Sequence, residues 1–354
     1  MERIKFDPKE MEVVGSYANM NNPTMAAPKF NTPITAKENL MALYNGQKPL
    51  WLANQRENRS FSPRVIIDPI SRAFIFEAEP AGPGEAGGPD MFNIEWEYIA
   101  MVNGSMVRPG DPTVRDIEKW EDYITFPDIE TWDWEKSAEM NKDYLKTDVP
   151  VSAIIMNGLF ERLISFCDME NAMMALVDED MQDGVHRLFD KLCILYDGMI
   201  EKFAKYFPDV DIINFHDDWG SQRAPFFSIN TVREMISPYL KRVVDSAHKH
   251  GFKFDFHCCG KNELLVPAMI EAGVDTWFGQ PMNDYGMLYD MYGDKIILGA
   301  AFNVPENATD EEMYDLASKF VEKYKKGNVR VSSMGVPQKA QEYLYELSRI
   351  ALSE

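Results

Sequence analysis

The sequence predicts an α/β protein that folds as a (β/α)8 TIM barrel. From residue 150 onward, short apolar runs alternate with segments whose apolar residues keep helical spacing, which is typical of a parallel sheet covered by helices. At least six such units follow residue 49, and α/β barrels often reach a length of 354 residues as one domain. Polar residues end the apolar runs, where barrels of this class carry their chemistry. We therefore expect residues 1–354 to form a single barrel domain.

The segment before the barrel is predicted to be an N-terminal extension. Residues 1–48 are polar and rich in turn-forming residues. One helix is predicted within them at Thr35–Asn45, because Thr35 and Glu38 have the spacing of a capping box. Pro49–Ala53 is the predicted first strand.

Residues 54–110 are expected to be irregular. Glycine and proline are so frequent at 79–89 that neither a helix nor a central strand is favoured there. Long loops in compact domains are usually functional, so we expect residues 79–110 to form a lid or a mobile loop. Helices are predicted next, at Asp116–Ile124 and Thr131–Lys146.

The apolar runs after residue 150 are the remaining predicted strands, and each ends in a polar residue or glycine. They are Val151–Met156, Asp211–Phe215, Phe254–Phe256, Val274–Phe278, Lys295–Leu298 and Val329–Val331. Helical spacing between and after them predicts helices at 232–247 (with a break near Pro238), Glu263–Ala272, Thr309–Lys326 and Gln338–Leu352.

The net charge and the cysteine content exclude several classes of protein. A formal charge of −21 repels nucleic acid and anionic lipid, whereas it attracts a basic patch on a protein partner. Four cysteines in this length provide no disulfide framework, which indicates a reducing compartment. The charged N-terminus has no apolar signal core, and no apolar run approaches the roughly 20 residues of a membrane span. We expect a cytoplasmic protein.

The first candidate site is at the end of the strand Phe254–Phe256. Side chains alternate faces along a strand, so His257 and Cys259 point to one side and Cys258 to the other. An imidazole and a thiolate on one face can hold Zn2+ and leave a position open for a substrate. The alternative is a buried cysteine pair beside a hydrogen-bonded histidine.

The second candidate site follows the strand at Asp211–Phe215. His216 and Asp218 share one face, whereas Asp217 points to the same side as Trp219. We expect His216, Asp217 and Asp218 to act in catalysis, where a carboxylate donates or accepts a proton. The alternative is that these side chains only cap the turn and the following helix.

Other polar residues also follow predicted strands. Glu161 is either an acid favoured by the helix dipole or a catalytic carboxylate of the pocket. Arg56 and Arg59 follow the first strand, where they either bind a carboxylate or are solvated. We expect a set of pocket residues to bind substrate, namely Arg56, Asn157, Trp219, Gln222, Gln280, Asn303 and Met334.

Several of these segments together resemble the uroporphyrinogen decarboxylase-like superfamily. The similarity begins near residue 35 and is densest over 150–340. The segments that carry the similarity are Asn157-Gly158-x-x-Glu161, Phe215–Gln222, Phe256–Asn262, Glu271–Asp275 and Gly335-Val336-Pro337. The porphyrinogen decarboxylases of this superfamily carry an Arg-Gln-Ala-Gly-Arg stretch and a Gly-His-Gly element. Here the corresponding segments read Asn54-Gln55-Arg56-Glu57-Asn58-Arg59 and Ser332-Ser333-Met334-Gly335-Val336-Pro337, which disfavours that branch.

The other branch contains corrinoid-dependent methyltransferases, and the chain is similar to those acting on coenzyme M and on O-methylated compounds. They hold zinc with a His-x-Cys pair and a later cysteine. His257 and Cys259 match the pair, but Met334 stands at the later position. Three alternatives follow from this difference. Glu161, Asp218 or Cys258 completes an altered metal site, or the metal binds weakly, or His257 and Cys259 act without a metal. The resemblance also implies a homodimer.

The function that this resemblance implies is transfer of a methyl group between a small methylated substrate and cobalamin carried on a separate corrinoid protein, within an anaerobic demethylation system. Loss of a sulfur ligand favours an oxygen leaving group, so an aryl methyl ether is the preferred substrate and O-demethylation the preferred reaction. Asp218 or Glu161 would supply the proton. Two rival functions are a decarboxylase or lyase acting on a cyclic acid, and a binder of corrinoid or substrate without catalysis.

Overall fold

The structure is a computed structural model, and it describes residues 4–19, 22–82, 84–101 and 104–353. The strands in chain order are β1 (Val13–Asn19), β2 (Asn22–Phe30), β3 (Arg59–Phe61), β4 (Gly88–Pro89), β5 (Glu95–Ile99), β6 (Gly104–Val107), β7 (Val151–Ile155), β8 (Ile212–His216), β9 (Lys253–His257), β10 (Thr276–Trp277), β11 (Ile297–Ala301) and β12 (Val329–Ser332).

The helices are α1 (Ala36–Tyr44), α2 (Asp68–Arg72), α3 (Trp134–Asn141), α4 (Leu159–Ala175), α5 (Glu179–Tyr206), α6 (Ile229–Thr231), α7 (Ser237–Lys249), α8 (Val266–Glu271), α9 (Tyr285–Tyr292), α10 (Asp310–Tyr324) and α11 (Gln338–Ser353). The chain divides into two compact units. The first comprises Met1–Arg59, Asp148–Pro150 and Thr276–Glu354, and the second comprises Ser60–Thr147 and Val151–Asp275.

The first unit contains the parallel strands β10, β11 and β12. Thr276 lies opposite Ile297, and Leu298 lies opposite Val329. The predicted first strand pairs with β12 only at its end: Val331 N–H donates to Ala53 O at 2.8 Å, and Gln55 N–H donates to Val331 O at 2.8 Å. A parallel bridge at Asn54 results.

The N-terminal extension is more ordered than its composition suggests. The antiparallel pair β1 and β2 was not predicted. The predicted helix is present as α1, with the capping box of Thr35 and Glu38. Arg349 of α11 donates to both carboxylate oxygens of Glu10, at 2.7 and 2.8 Å, and both side chains are buried. The extension is therefore anchored in the core of the first unit.

The second unit contains the parallel strands β7, β8 and β9, with β3 beside β7. Their side chains are largely buried, which explains why they read as apolar runs rather than as alternating patterns. Helices α4 and α5 connect β7 to β8, and α7 precedes β9. Ile154 lies opposite Asn214, and His216 lies opposite His257, so the carboxyl ends of the three strands are level.

The prediction that residues 54–110 are irregular is wrong in part. This segment contains α2 and a small antiparallel sheet in which β5 lies between β4 and β6. Strands of two to five residues in a glycine-rich and proline-rich segment leave no periodic pattern that a sequence reading can detect. A lid formed by 79–110 stays a prediction.

Other predicted helices have different limits in the structure. Asp116–Ile124 is a 3-10 turn at Ile117–Asp122, and the helix predicted at Thr131–Lys146 is shortened to α3. A π-helical turn at Val232–Ile236 precedes α7, and Pro238 lies in the first turn of that helix. Proline has no N–H to donate, which explains why the regular helical pattern is interrupted there.

The predicted fold class is confirmed as mixed α/β, because parallel strands alternate with helices in both units. This alternation fits a TIM-barrel-like fold, and closure into a complete eight-stranded barrel stays a prediction. No helix within the described ranges is both long enough and apolar enough to cross a membrane.

Candidate active site

The candidate active site lies where β7, β8 and β9 end. These strands lead into Asn157, into His216 and Asp218, and into His257 and Cys259, respectively. Because neighbouring parallel strands are in register, their polar ends meet at one edge of the sheet. The second unit thus brings together the residues that the two strand-end motifs predicted.

Glu161 and His216 form a close pair at this edge. Helix α4 begins at Leu159, directly after β7, and Glu161 is in its first turn. Its Oε2 lies 2.5 Å from Nδ1 of His216, and both side chains are mostly buried. Burial opposes ionisation of Glu161, but the charges of His216 and Arg72 outweigh it and lower its pKa to about 2. Burial also opposes protonation of His216, yet the Glu161 carboxylate raises the histidine pKa above its usual value.

Arg72 is a residue of this site that the sequence reading missed. Its Nη1 donates to Asn157 Oδ1 at 2.6 Å and to Glu161 Oε1 at 3.3 Å. The guanidinium lies 4.9 Å from the centre of the Trp96 ring, in a cation–π position. Within the described part of the chain, its buried Nε has no hydrogen-bond partner. The sequence signal for α2 is Asp68-Pro69, which is common at the start of a helix and would place Arg72 near the end of a short helix.

His257 and Cys259 lie on one face, as strand alternation predicts. The distance from His257 Nε2 to Cys259 Sγ is 3.3 Å. The His257 ring stacks on that of His216, with centres 4.5 Å apart and planes inclined by 12°. Burial, reinforced by the positive charge of His216, lowers the pKa of His257 to about 3, so its imidazole is neutral. Burial and the adjacent Asp218 raise the pKa of the Cys259 thiol, which is therefore protonated.

Asp218 completes the group on this face. Its Oδ1 accepts a hydrogen bond of 2.6 Å from the backbone N–H of Cys259. Burial, with the nearby charge of Glu161, raises the pKa of Asp218. His216, Asp218 and His257 can each present one ligand atom such that all three atoms lie within 4.8 Å of one another. The face can therefore offer two imidazoles and a carboxylate to one ion.

Asp217 points the other way and supports the start of α4. Its carboxylate accepts from the backbone N–H groups of Phe160 (3.2 Å) and Glu161 (2.8 Å) and from Trp219 Nε1 (2.8 Å). Burial, followed by the charge of Glu161, raises its pKa to about 7. A Cβ on Gly158 would lie 2.4 Å from Asp217 Cβ, so this close approach requires glycine. The capping alternative thus describes Asp217, and Trp219 is buried beside it.

Cys258 and Asn157 belong to the supporting structure. The Cys258 thiol is fully buried and accepts hydrogen bonds from Trp219 N–H and Asn262 Nδ2. Asn157 Nδ2 donates to Asp68 Oδ2 at 3.1 Å, while its Oδ1 holds Arg72. Asn157 therefore connects Arg72 to the buried core of the second unit.

The remaining predicted site residues are in the loop after Trp219 or in the other unit. Gln222 is exposed in the loop after Trp219. Gln280, Asn303 and Met334 follow β10, β11 and β12 of the first unit; Gln280 is half-buried, whereas Asn303 and Met334 are exposed. Arg56, also in the first unit, has a buried Nε and Nη1 without hydrogen-bond partners in the described ranges. Their roles in substrate binding stay predictions.

Comparison with known proteins establishes similarity at the level of the fold. No family model matches the sequence, and no curated protein matches it. Among solved structures, a methyltransferase from Methanosarcina mazei aligns over 88% of this chain and 97% of its own, with 12% identity and a TM-score of 0.60. A 3-keto-D-glucoside 4-epimerase from E. coli aligns over 65% and 93%, with 15% identity and a TM-score of 0.35. The second likeness is too distant to support an argument.

Proposed function

We propose that this protein is a methyltransferase that moves a methyl group between a small methylated substrate and a corrinoid held by a partner protein. The observation that carries the proposal is the cluster of His216, Asp218, His257 and Cys259 at the strand ends, with Glu161 behind it. Such a cluster can activate a heteroatom and protonate it as it leaves. The likeness in fold to the methyltransferase from Methanosarcina mazei supports this choice among reactions.

The residues present fit a divalent metal ion. His257 Nε2 and Cys259 Sγ are 3.3 Å apart, a separation compatible with binding to one ion, and His257 is neutral. Zn2+ held here would supply Lewis-acid activation of the substrate heteroatom. Glu161 is a poor third ligand, because both its oxygens already contact His216 and Arg72.

The protein's own groups supply the proton for the leaving atom. Glu161 is ionised at neutral pH, so its role is to orient and charge His216. The raised pKa values of Asp218 and His216 favour their protonated forms, so these two groups are the proposed proton donors when no ion is bound. An ion bound by them would take over the activation of the leaving atom. In transfer from an aryl methyl ether, the carbon–oxygen bond breaks, and the oxygen keeps the electron pair and takes this proton. A corrinoid bound at this face would supply the nucleophile to which the methyl group is transferred. The oxygen and nitrogen donors of the cluster suit such a substrate better than a thioether.

The partner is proposed to be a corrinoid protein that delivers its cofactor to the strand ends. The net charge of −21 would attract a basic patch on this partner. We also propose that the chain forms a homodimer, and this proposal rests only on the resemblance to the uroporphyrinogen decarboxylase-like superfamily.

A decarboxylase or lyase is the second candidate, because of Arg72. This arginine places a cation with an unpartnered Nε beside the cluster, where a substrate carboxylate could bind. Glu161 already neutralises much of that charge, which makes carboxylate recognition weaker here than at a free arginine.

The proposal is tested by methyl transfer to cob(I)alamin, followed by its absorbance, with a panel of methoxyaromatics, methylamines and methyl thiols. Transfer from a methoxyaromatic is expected. Parallel incubation of cyclic carboxylic acids, with release of CO2 as the readout, tests the second candidate. Absence of transfer from every donor contradicts the methyltransferase, and CO2 release in that case would favour the decarboxylase.

A further inference from the structure

The side chains on the active face suggest a more specific metal site than the histidine and cysteine pair. Among the described residues, His216, Asp218 and His257 form a group in which one ligand atom from each lies within 4.8 Å of the others. None of the three is fully buried, so an ion and a substrate can reach the group.

His216 has one ring nitrogen available to an ion. Its Nδ1 is engaged by Glu161 Oε2 at 2.5 Å, which leaves Nε2. Histidines that bind metals usually give their other ring nitrogen to a carboxylate, which fixes the tautomer and the orientation of the ring. The Glu161 and His216 pair has this second-shell arrangement.

His257 is placed beside His216 by the sheet itself. The two residues are register partners on the adjacent parallel strands β8 and β9, and their rings stack with centres 4.5 Å apart. Two imidazoles fixed by paired backbone positions keep their relative positions without a ligand. They provide neighbouring nitrogen donors on one face.

Asp218 is held in place by the backbone of residue 259. The N–H of Cys259 donates to Asp218 Oδ1 at 2.6 Å. A carboxylate has about four acceptor positions, so this bond leaves capacity for an ion. Residue 259 therefore contributes to the group through its main chain, and a serine there would preserve that contribution.

The distances allow one ion to reach all three groups. Nitrogen and oxygen ligands bind Zn2+ at about 2.0–2.2 Å, so tetrahedral donor atoms lie roughly 3.4 Å apart. Closing the observed group from its limit of 4.8 Å requires side-chain movements on the order of 1 Å, which rotamer adjustment supplies.

We infer that His216, Asp218 and His257 bind a divalent transition-metal ion. Glu161 orients the His216 ring through its contact with Nδ1, and the Cys259 thiol is not a required ligand. Two imidazoles and one carboxylate leave at least one coordination position for a substrate oxygen. Use of this ion in methyl transfer rests on the proposed function, whereas binding of the ion does not.

The test uses the full chain, purified anaerobically, stripped with a chelator and titrated with Zn2+ by calorimetry. The variants are His216→Gln, Asp218→Asn and Cys259→Ser, with His250→Ala, at the C-terminal cap of α7, as the matched control. Glutamine and asparagine keep hydrogen-bonding groups at these positions, and near-ultraviolet circular dichroism checks that each variant is folded. One ion per chain is expected. Affinity should fall by about 100-fold or more in His216→Gln and Asp218→Asn, and stay within about threefold in Cys259→Ser and His250→Ala.

Two further measurements make the inference falsifiable. Glu161→Gln should weaken Zn2+ binding by about 10–100-fold, as loss of a second-shell partner does. Co2+ bound to the stripped protein should show its visible bands without the ultraviolet band of a cobalt–thiolate bond. A thiolate band that Cys259→Ser removes would overturn the inference, as would Zn2+ binding that survives His216→Gln, or a wild-type chain that binds no Zn2+. Ion binding without methyl transfer to cob(I)alamin would refute the proposed function alone.

Discussion

Glu57 makes the stability of the first unit depend on pH, and Glu57→Gln should reveal it. Glu57 is buried just after the predicted first strand. Its carboxylate accepts hydrogen bonds from Trp51 Nε1, at 3.0 and 3.1 Å, and from Asn54 N–H at 3.1 Å. Burial raises its pKa to about 7 against these bonds and the charge of Arg330, which all favour ionisation. The folded state therefore keeps a proton on Glu57 at pH values where the unfolded chain has already released it.

The size and the sign of the effect follow from the two pKa values. The rise from 4.5 to about 7 is about 2.5 units, or roughly 3 kcal/mol at about 1.36 kcal/mol per unit. Between these values the folded state binds more protons than the unfolded state, so the free energy of unfolding falls as pH rises. The contribution of Glu57 to the free energy of unfolding is most favourable below about pH 4.5. That contribution is fully lost once the pH is above about 7. Glutamine stays neutral and can still accept from Trp51 N–H.

The assay is urea unfolding followed by tryptophan fluorescence at pH 5, 6, 7 and 8. The free energy of unfolding of Glu57→Gln minus that of the wild type should rise by about 2.5 kcal/mol from pH 5 to pH 8, because part of the change lies below pH 5. Glu311→Gln, an exposed change at the start of α10, is the matched control and should show no such trend. A difference for Glu57→Gln that does not change with pH would refute this reasoning.

Two further substitutions test other contacts. Glu10→Gln should lower the free energy of unfolding by about 3–5 kcal/mol, because it leaves the buried guanidinium of Arg349 without its charge partner. Urea unfolding measures this loss, and a loss under about 1 kcal/mol would contradict a buried ion pair. Gly158→Ala should lower the free energy of unfolding by about 1–3 kcal/mol, because the added Cβ collides with Asp217 and displaces the start of α4. The same displacement should weaken Zn2+ binding. An unchanged melting temperature together with an unchanged calorimetric affinity for Zn2+ would show that the backbone adapts.

The strands of the parallel sheet could be predicted from the sequence, because strands buried on both faces appear as short apolar runs. β7, β8, β9, β11 and β12 all overlap their predicted ranges. The limits differ by at most three residues, since the hydrogen bonds that end a strand depend on its neighbours. The antiparallel sheet in 54–110 could not be predicted, because strands as short as Gly88–Pro89 have no periodicity of their own. β1 and β2 are longer, but glycine, proline and asparagine within them made this segment read as turns.

The grouping of polar side chains at the strand ends could be predicted from the alternation of side chains along a strand. Alternation along a strand places His216 with Asp218 and His257 with Cys259, and the parallel register then brings the two pairs together. Arg72 could not be predicted, since it meets Asn157 across 85 residues of chain. Nor does the sequence show that Asp217 accepts hydrogen bonds from the first turn of α4, because that contact depends on where α4 begins.

The most direct test of the central claim is the rate of methyl transfer from a methoxyaromatic to cob(I)alamin in wild type, Asp218→Asn and His250→Ala. If the strand-end cluster is the active site, Asp218→Asn should lower the rate by about 10²–10⁴-fold, the range for loss of a positioned acid or base, while His250→Ala leaves it unchanged. Equal rates in the wild type and in a correctly folded Asp218→Asn variant would contradict the claim that this cluster carries the reaction.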